Sequence, residues 1–325
     1  MSDLVTTIAK KLLMQPLVRC IDRRENQILG APKSFRSGPD SPVRFEIVKE
    51  SMARDYFDIR RMKSPMMFRA MKGVLKSMRD IKRNAEKHKI RISDQDLQDL
   101  NGYLNMLGIS SVGYVKVPAR WVFKDKAIMY ENAIVCTMEM NRILIETAPS
   151  KAAGRAAHEI YAFEGEAMIK GAEFLRRRGY AAQAGHPLLG MALYPPLAQM
   201  AGLGQLGVSG LLVTPEHGPR VRLAAVFTDI DNLPFHKGPT GHEWVLDFCG
   251  RCLACVRKCP RKAIFSKPRV EPNGRITCVD NERCFPYFEE TGGCAVCIKI
   301  CPFNRTSYEK LRDIREKMLS PVDIL

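Results

Sequence analysis

The sequence predicts an α+β fold in two parts, a mixed helix–strand domain followed by a small module built around cysteines. Three observations predict it. From about residue 93 to 230, helical patterns alternate with short apolar and β-branched runs. Eight of the chain's 11 cysteines form two short-spaced runs between Cys249 and Cys301. The 325 residues, 46% hydrophobic and 26% charged, suffice for one large domain and a smaller one.

The elements follow in chain order. Residues 1–15 have the pattern of a short amphipathic helix, and 26–48 read as loop because of Pro32, Pro39 and Pro42. Residues 65–89 predict a basic amphipathic helix. Phe68, Met71, Leu75, Met78 and Ile81 share one face, and Arg69, Lys72, Lys76, Arg79, Arg83 and Lys87 cover the rest. A helix running from Ser93 to near Gly108 comes next, then strands in SVGYVKV and AIVCTMEM. A long helix spans about 151–178, with Ala152, Ala156, Ile160, Phe163, Met168 and Ala172 along its apolar side. LLVT and VRLAAVFTDI predict two strands across the turn Pro-Glu-His-Gly-Pro. The cysteine module begins near 247, and 305–325 read as a polar helical tail. The divisions expected are therefore a basic helical extension over 1–95, a mixed domain over 96–246, the module over 247–304 and the tail.

The cysteine spacings carry the chemistry. FCGRCLACVRKCP (248–260) reads C-x2-C-x2-C-x3-C-P, and GCAVCIKICP (293–302), preceded by Cys284, echoes it. Three thiolates at three-residue spacing wrap three corners of a cubane, and the cysteine before proline turns away to the other cluster. The expected ligands are Cys249, Cys252, Cys255 and Cys301 for one [4Fe–4S] cluster, and Cys259, Cys284, Cys294 and Cys297 for the second. Nine residues separate Cys284 from Cys294, where two is usual. Structural zinc favours cysteine pairs around a longer spacer, which this pattern does not match. Cys278 reads as a strand residue near the clusters rather than a ligand, and Cys20 and Cys136 read as ordinary apolar cysteines.

Gly202, Gly204 and Gly207 match G-x-G-x-x-G, but a dinucleotide site needs a strand before the motif and a helix after it. Here a Pro-broken segment precedes and a strand follows, so the glycines imply a tight turn or close backbone approach. The net charge is +16, and residues 54–91 hold 13 Lys/Arg against 4 Asp/Glu. Such a surface suits an anionic partner: nucleic acid, a membrane face reached through 65–89, or an acidic protein. The longest run without Asp, Glu, Lys or Arg, Gly179–Pro215, is broken by Pro187, Pro195 and Pro196 and does not suit a spanning helix. The start MSDLVTTIAKKLL lacks a signal peptide's pattern, and an acidic, polar stretch follows Arg23–Arg24, so a cytoplasmic location is expected.

AIVCTMEM (133–140), FLRRRGYAA (174–182), AGLGQLG…LLVTPEHGPRVRLAAVFTD (201–229) and the two cysteine runs together resemble the corrinoid-dependent iron–sulfur reductases. These are the reductive dehalogenases and epoxyqueuosine reductases, and CFPYFEETGGCAVCIKICPFN (284–304) is more similar to the dehalogenase branch. The resemblance implies that a nitroreductase-like domain binds cobalamin ahead of the ferredoxin-like module. It also implies cobalt without a protein histidine beneath it, and AGHPLLG (184–190) indeed has Ala184 where the histidine-ligand pattern places Asp. By the same resemblance Tyr161 is the candidate proton donor, Arg220 or Arg222 the assisting cation, and Gly204, Gly207 and Gly210 the corrinoid-contact positions. Implied partners are a low-potential electron donor of the ferredoxin or flavodoxin type and a small organic substrate. Epoxyqueuosine reductases carry an acid within G-R-D-Y-H. The nearest match here, GRAAH (154–158), has Ala156 in its place, which disfavours a tRNA substrate although the basic 54–91 stretch would suit one. An electron-transfer protein without corrinoid is the competing reading from another class.

Overall fold

The computed structural model describes residues 15–44, 64–270 and 276–319. It divides into two compact units. The first comprises residues up to 138, 157–201 and 222–236; the second comprises 139–156, 202–221 and 237 onward. The described part of the basic N-terminal region thus belongs to the first unit, and the cysteine module shares the second with two earlier segments of chain.

In the first unit, α1 (Gln15–Leu29), α2 (Pro65–Arg79) and α3 (Asp94–Met106) precede β1 (Ser111–Lys116) and β2 (Asn132–Glu139). After them come α4 (Lys151–Arg177), β3 (Ala182–Gly185), α5 (Tyr194–Met200) and β4 (Val221–Thr228). The strands form one sheet in the order β1-β2-β4-β3. β1 and β2 are antiparallel, with Gly113 opposite Val135, and β3 runs antiparallel to β4, with Ala184 opposite Val226. β2 and β4 lie centrally and are apolar on both faces, which is why each reads as a continuous hydrophobic run. Helix α3 starts where Ser93 Oγ accepts the Asp96 N–H at 3.1 Å, and Gly108 takes a positive φ of 89° just past its end.

Several expectations are corrected. Residues 26–29 are the last turn of α1 and not loop: Glu25 is buried there, paired with Arg44 at 2.7 Å and with Lys126, so that helix face is held from two sides. The helix expected over 1–15 lies outside the described residues apart from Gln15. The helix expected over 65–89 ends at Arg79, with one 3-10 turn to Arg83. Asp80 is buried there beside Lys76, Arg79 and Arg83, and the chain then turns extended so that Lys89 N–H donates to Gly179 O at 2.8 Å. Of its expected apolar face Met71 and Met78 are buried, Val74 joins them, and Phe68 is 55% exposed. LLVT does not pair with VRLAAVFTDI. Leu212–Val213 instead pairs with Gln205–Leu206, and Val221–Thr228 joins the large sheet.

The second unit holds α6 (Trp244–Cys252), α7 (Ala254–Lys258), the antiparallel hairpin β5 (Ile264–Val270) and β6 (Ile276–Val279), α8 (Asn281–Thr291), α9 (Val296–Lys299), α10 (Pro302–Arg305) and α11 (Tyr308–Leu319). Trp244, Phe248, Phe303 and Tyr308 pack ring against ring with Val213, Val245 and Leu311 as its core. The pseudo-duplication is visible in the backbone. Leu253 and Ala295 each follow a cysteine, each cap a short helix, and both adopt the left-handed conformation, with φ of 46° and 50°.

Candidate functional site

The eight thiols of the second unit act on one another in two overlapping groups. Burial and the neighbouring Cys255 and Cys252 push the Cys249 thiol up to about 11. Burial, then Cys249, Cys255 and Cys252, also push Cys301 upward. The other set centres on Cys297, pushed up to about 12 by burial and then by Cys294, Cys284, Cys255 and Cys259. Burial, Cys294 and Cys259 push Cys284 to about 11. Thiols buried against one another hold their protons, and a metal core that displaces those protons is the group such a set suits. Spacing along the chain fits two cubanes, although among the described residues no three of these side chains are arranged as they stand to hold a metal ion. Cys278 stands against Gly210 instead.

Protein contacts alone account for the three candidate corrinoid glycines. Gly204 has φ of 150°, and a Cβ there would strike the Val213 carbonyl. A Cβ on Gly207 would lie 3.2 Å from Cys249 Sγ, and one on Gly210, at φ 74°, 3.0 Å from Cys278 Cβ. Arg220 is likewise committed within its unit. Its guanidinium, 7% exposed, donates to Glu139 Oε1 at 2.7 Å and to Asn304, whose own amide donates to Glu146 Oε1 at 2.9 Å.

In the first unit Tyr161 and Arg222 do meet. Tyr161 lies on α4 and Arg222 on β4, and the guanidinium carbon sits 5.3 Å from the centre of the phenol ring. One turn along α4, on the same face, is Glu164, which the sequence reading passed over. It is wholly buried, and neither carboxylate oxygen has a hydrogen-bond partner. Burial pushes its acid well above the usual carboxylate range, with Arg222 pulling the other way. Arg222 Nε and Thr137 Oγ1 are also buried without a partner. Glu164 could have been found: it sits four residues from both Ile160 and Met168, inside the apolar stripe. Phe163, expected on that stripe, is 41% exposed.

His186 Nε2 is another buried atom without a hydrogen-bond partner. His186 is buried, its Nδ1 accepts the Leu188 N–H at 3.1 Å, and its Nε2 presses on the backbone of α2 and α4 at Gly73 and Gly165. Burial lowers its pKa to about 3. His217 Nδ1 lies 3.6 Å from Glu139. Ala156, at the position of the epoxyqueuosine reductases' acid, is fully buried.

Residues 248–305 match the 4Fe-4S dicluster domain family. The chain is 35% identical over 186 residues to the tetrachloroethene reductive dehalogenase of Sulfurospirillum multivorans, covering 54% of this chain and 36% of that one. The enzyme of the same name from Desulfitobacterium hafniense is 32% identical over 225 residues, 64% of this chain and 39% of its own. The chain is similar to the reductive dehalogenases. It is also 31% identical to the epoxyqueuosine reductase of Listeria monocytogenes, over 34% of this chain and 29% of that one. A solved catabolic reductive dehalogenase shares the fold, with a TM-score of 0.65 at 20% identity over 90% of this chain and 46% of its own. Another, whose structure bears on B12-dependent dehalogenation, gives 0.66 at 20% identity over 93% of this chain and 49% of that one. This chain therefore spans well under half the length of the curated dehalogenases it matches. Residues 248–305 form a two-cluster [4Fe–4S] module, and no helix among the described residues is long and apolar enough to cross a membrane.

Proposed function

We propose that this chain is a corrinoid-dependent oxidoreductase that reductively cleaves a carbon–halogen bond in a small organic substrate. Per bond cleaved, two electrons and one proton enter, and halide leaves. Cys249, Cys252, Cys255 and Cys301 hold one cluster, and Cys259, Cys284, Cys294 and Cys297 hold the other. Electrons from a ferredoxin- or flavodoxin-type donor pass through them. The corrinoid, when bound, supplies a strongly reducing cobalt centre. The buried Thr137 Oγ1, which has no hydrogen-bond partner, is an atom that a polar ligand of the first unit would satisfy, which supports a fit. Tyr161 Oη gives the proton, and Arg222, against its ring, offsets the charge left behind.

The observation that carries the reading is the Tyr161–Arg222 pair in a chain similar to reductive dehalogenases. Its test is halide release. Anaerobic protein with reconstituted clusters, cobalamin and a chemical reductant is offered tetrachloroethene and a brominated phenol. Tyr161→Phe is expected to lower turnover by ~10²-fold or more while clusters and corrinoid stay bound. Turnover unchanged in Tyr161→Phe would remove Tyr161 from the mechanism. Turnover of epoxyqueuosine-tRNA in place of both halides would replace the substrate class.

A further inference from the structure

Glu164 and Arg222 present complementary groups that do not meet. Both Glu164 oxygens and Arg222 Nε are buried and unpartnered, yet the two residues are close enough to feel each other's charge. A buried ionised carboxylate without a partner is strongly disfavoured, so an arrangement of this kind persists only while the acid keeps its proton. The other groups that feel Glu164 are Cys136 on β2 and Tyr194 on α5, both buried and neither cationic. Tyr161 follows on α4 itself. Among the described residues Arg222 is therefore the one cation shown to act on Glu164, and the Tyr161 ring is what it now faces.

We propose that Glu164 is a positioning residue for the Tyr161–Arg222 pair: uncharged, it leaves the guanidinium on the phenol ring, and charged, it draws the guanidinium into a carboxylate fork. The charged arrangement satisfies the orphaned atoms by a bidentate pair and takes the cation from the phenol. The uncharged one keeps the cation where a departing proton leaves negative charge. This inference rests on the functional reading above for its consequence in turnover, but not for the pairing itself.

Two arms test it. Infrared titration of the full chain, with Glu164→Gln as the reference, reads the carbonyl band of the protonated Glu164 acid. The band is expected at pH 7, lost at higher pH, and shifted to still higher pH in Arg222→Gln, which removes the opposing cation. Absence of the band at pH 7, or the same titration in Arg222→Gln, overturns the proposal whether or not corrinoid binds. In the corrinoid-loaded protein, halide release is expected to decline over the pH range in which the band is lost, and Glu164→Gln is expected to lack that decline. An identical decline in Glu164→Gln also overturns it. Failure to bind corrinoid removes the functional reading and leaves the infrared arm to decide the pairing.

Discussion

At the scale of single residues, charge state follows burial more than identity. Arg220 and Arg222 are two positions apart in GPRVR and equivalent by sequence, yet one is spent on Glu139 and Asn304 while the other faces Tyr161. Sequence could not separate them, because Arg220 precedes the strand and strand alternation does not apply to it. Arg220→Ala leaves Asn304 and Glu139 without their donor, and we expect a loss of about 1–3 kcal/mol in chemical denaturation. His186 gives a pH signature. Its folded pKa of about 3 lies below the ordinary 6.5, so the stability it contributes is full above pH 6.5 and is lost as pH falls toward 3. Thermal denaturation between pH 7 and pH 4 should show this loss in the native chain, and a smaller one in His186→Leu. The two-cluster module was legible from spacing alone. Glu164 was hidden because one acid within an apolar stripe is easily read as a solvent-facing position.

At the scale of elements, local pattern predicted helices and strands well where capping and periodicity agree. Ser93 and Gly108 bound α3 as expected, and β1, β2 and α4 appear within a residue or two of the expected spans. Pattern failed where backbone was recruited by a distant partner. Lys89 is drawn out of a helical sequence by Gly179, and LLVT by the glycine segment before it. Close helix packing was also invisible. A Cβ on Gly165 of α4 would collide with His186 Nε2, so the helix requires glycine there for contact and not for turning. Gly165→Ala is expected to cost about 1–3 kcal/mol by overpacking, measurable as a lower Tm, whereas exposed Gly102→Ala on α3, with nothing near its Cβ, should raise stability slightly.

At the scale of the whole molecule, one chain carries an iron–sulfur unit and a unit holding a phenol–guanidinium pair. Spacing announced the cysteine-bearing second unit, whereas the first was reached through resemblance. Without iron, the cluster thiols make the second unit alkali-sensitive. Folded values of about 11 for Cys249 and Cys284 and about 12 for Cys297 exceed the ordinary 9.0, so the contribution of their protonated forms is full below pH 9 and lost as pH rises through 11 to 12. The iron-free chain should therefore unfold progressively above pH 9, and iron loading should release protons that a pH-stat can count.

The most direct test of the central claim is the stoichiometry of metal in anaerobically reconstituted protein incubated with cob(II)alamin, read by iron analysis and electron paramagnetic resonance. Two cubanes and a corrinoid site predict about eight irons per chain and one cobalt, with a cobalt(II) spectrum lacking a nitrogen ligand. Eight irons with no bound cobalt would contradict the claim and leave an iron–sulfur electron carrier.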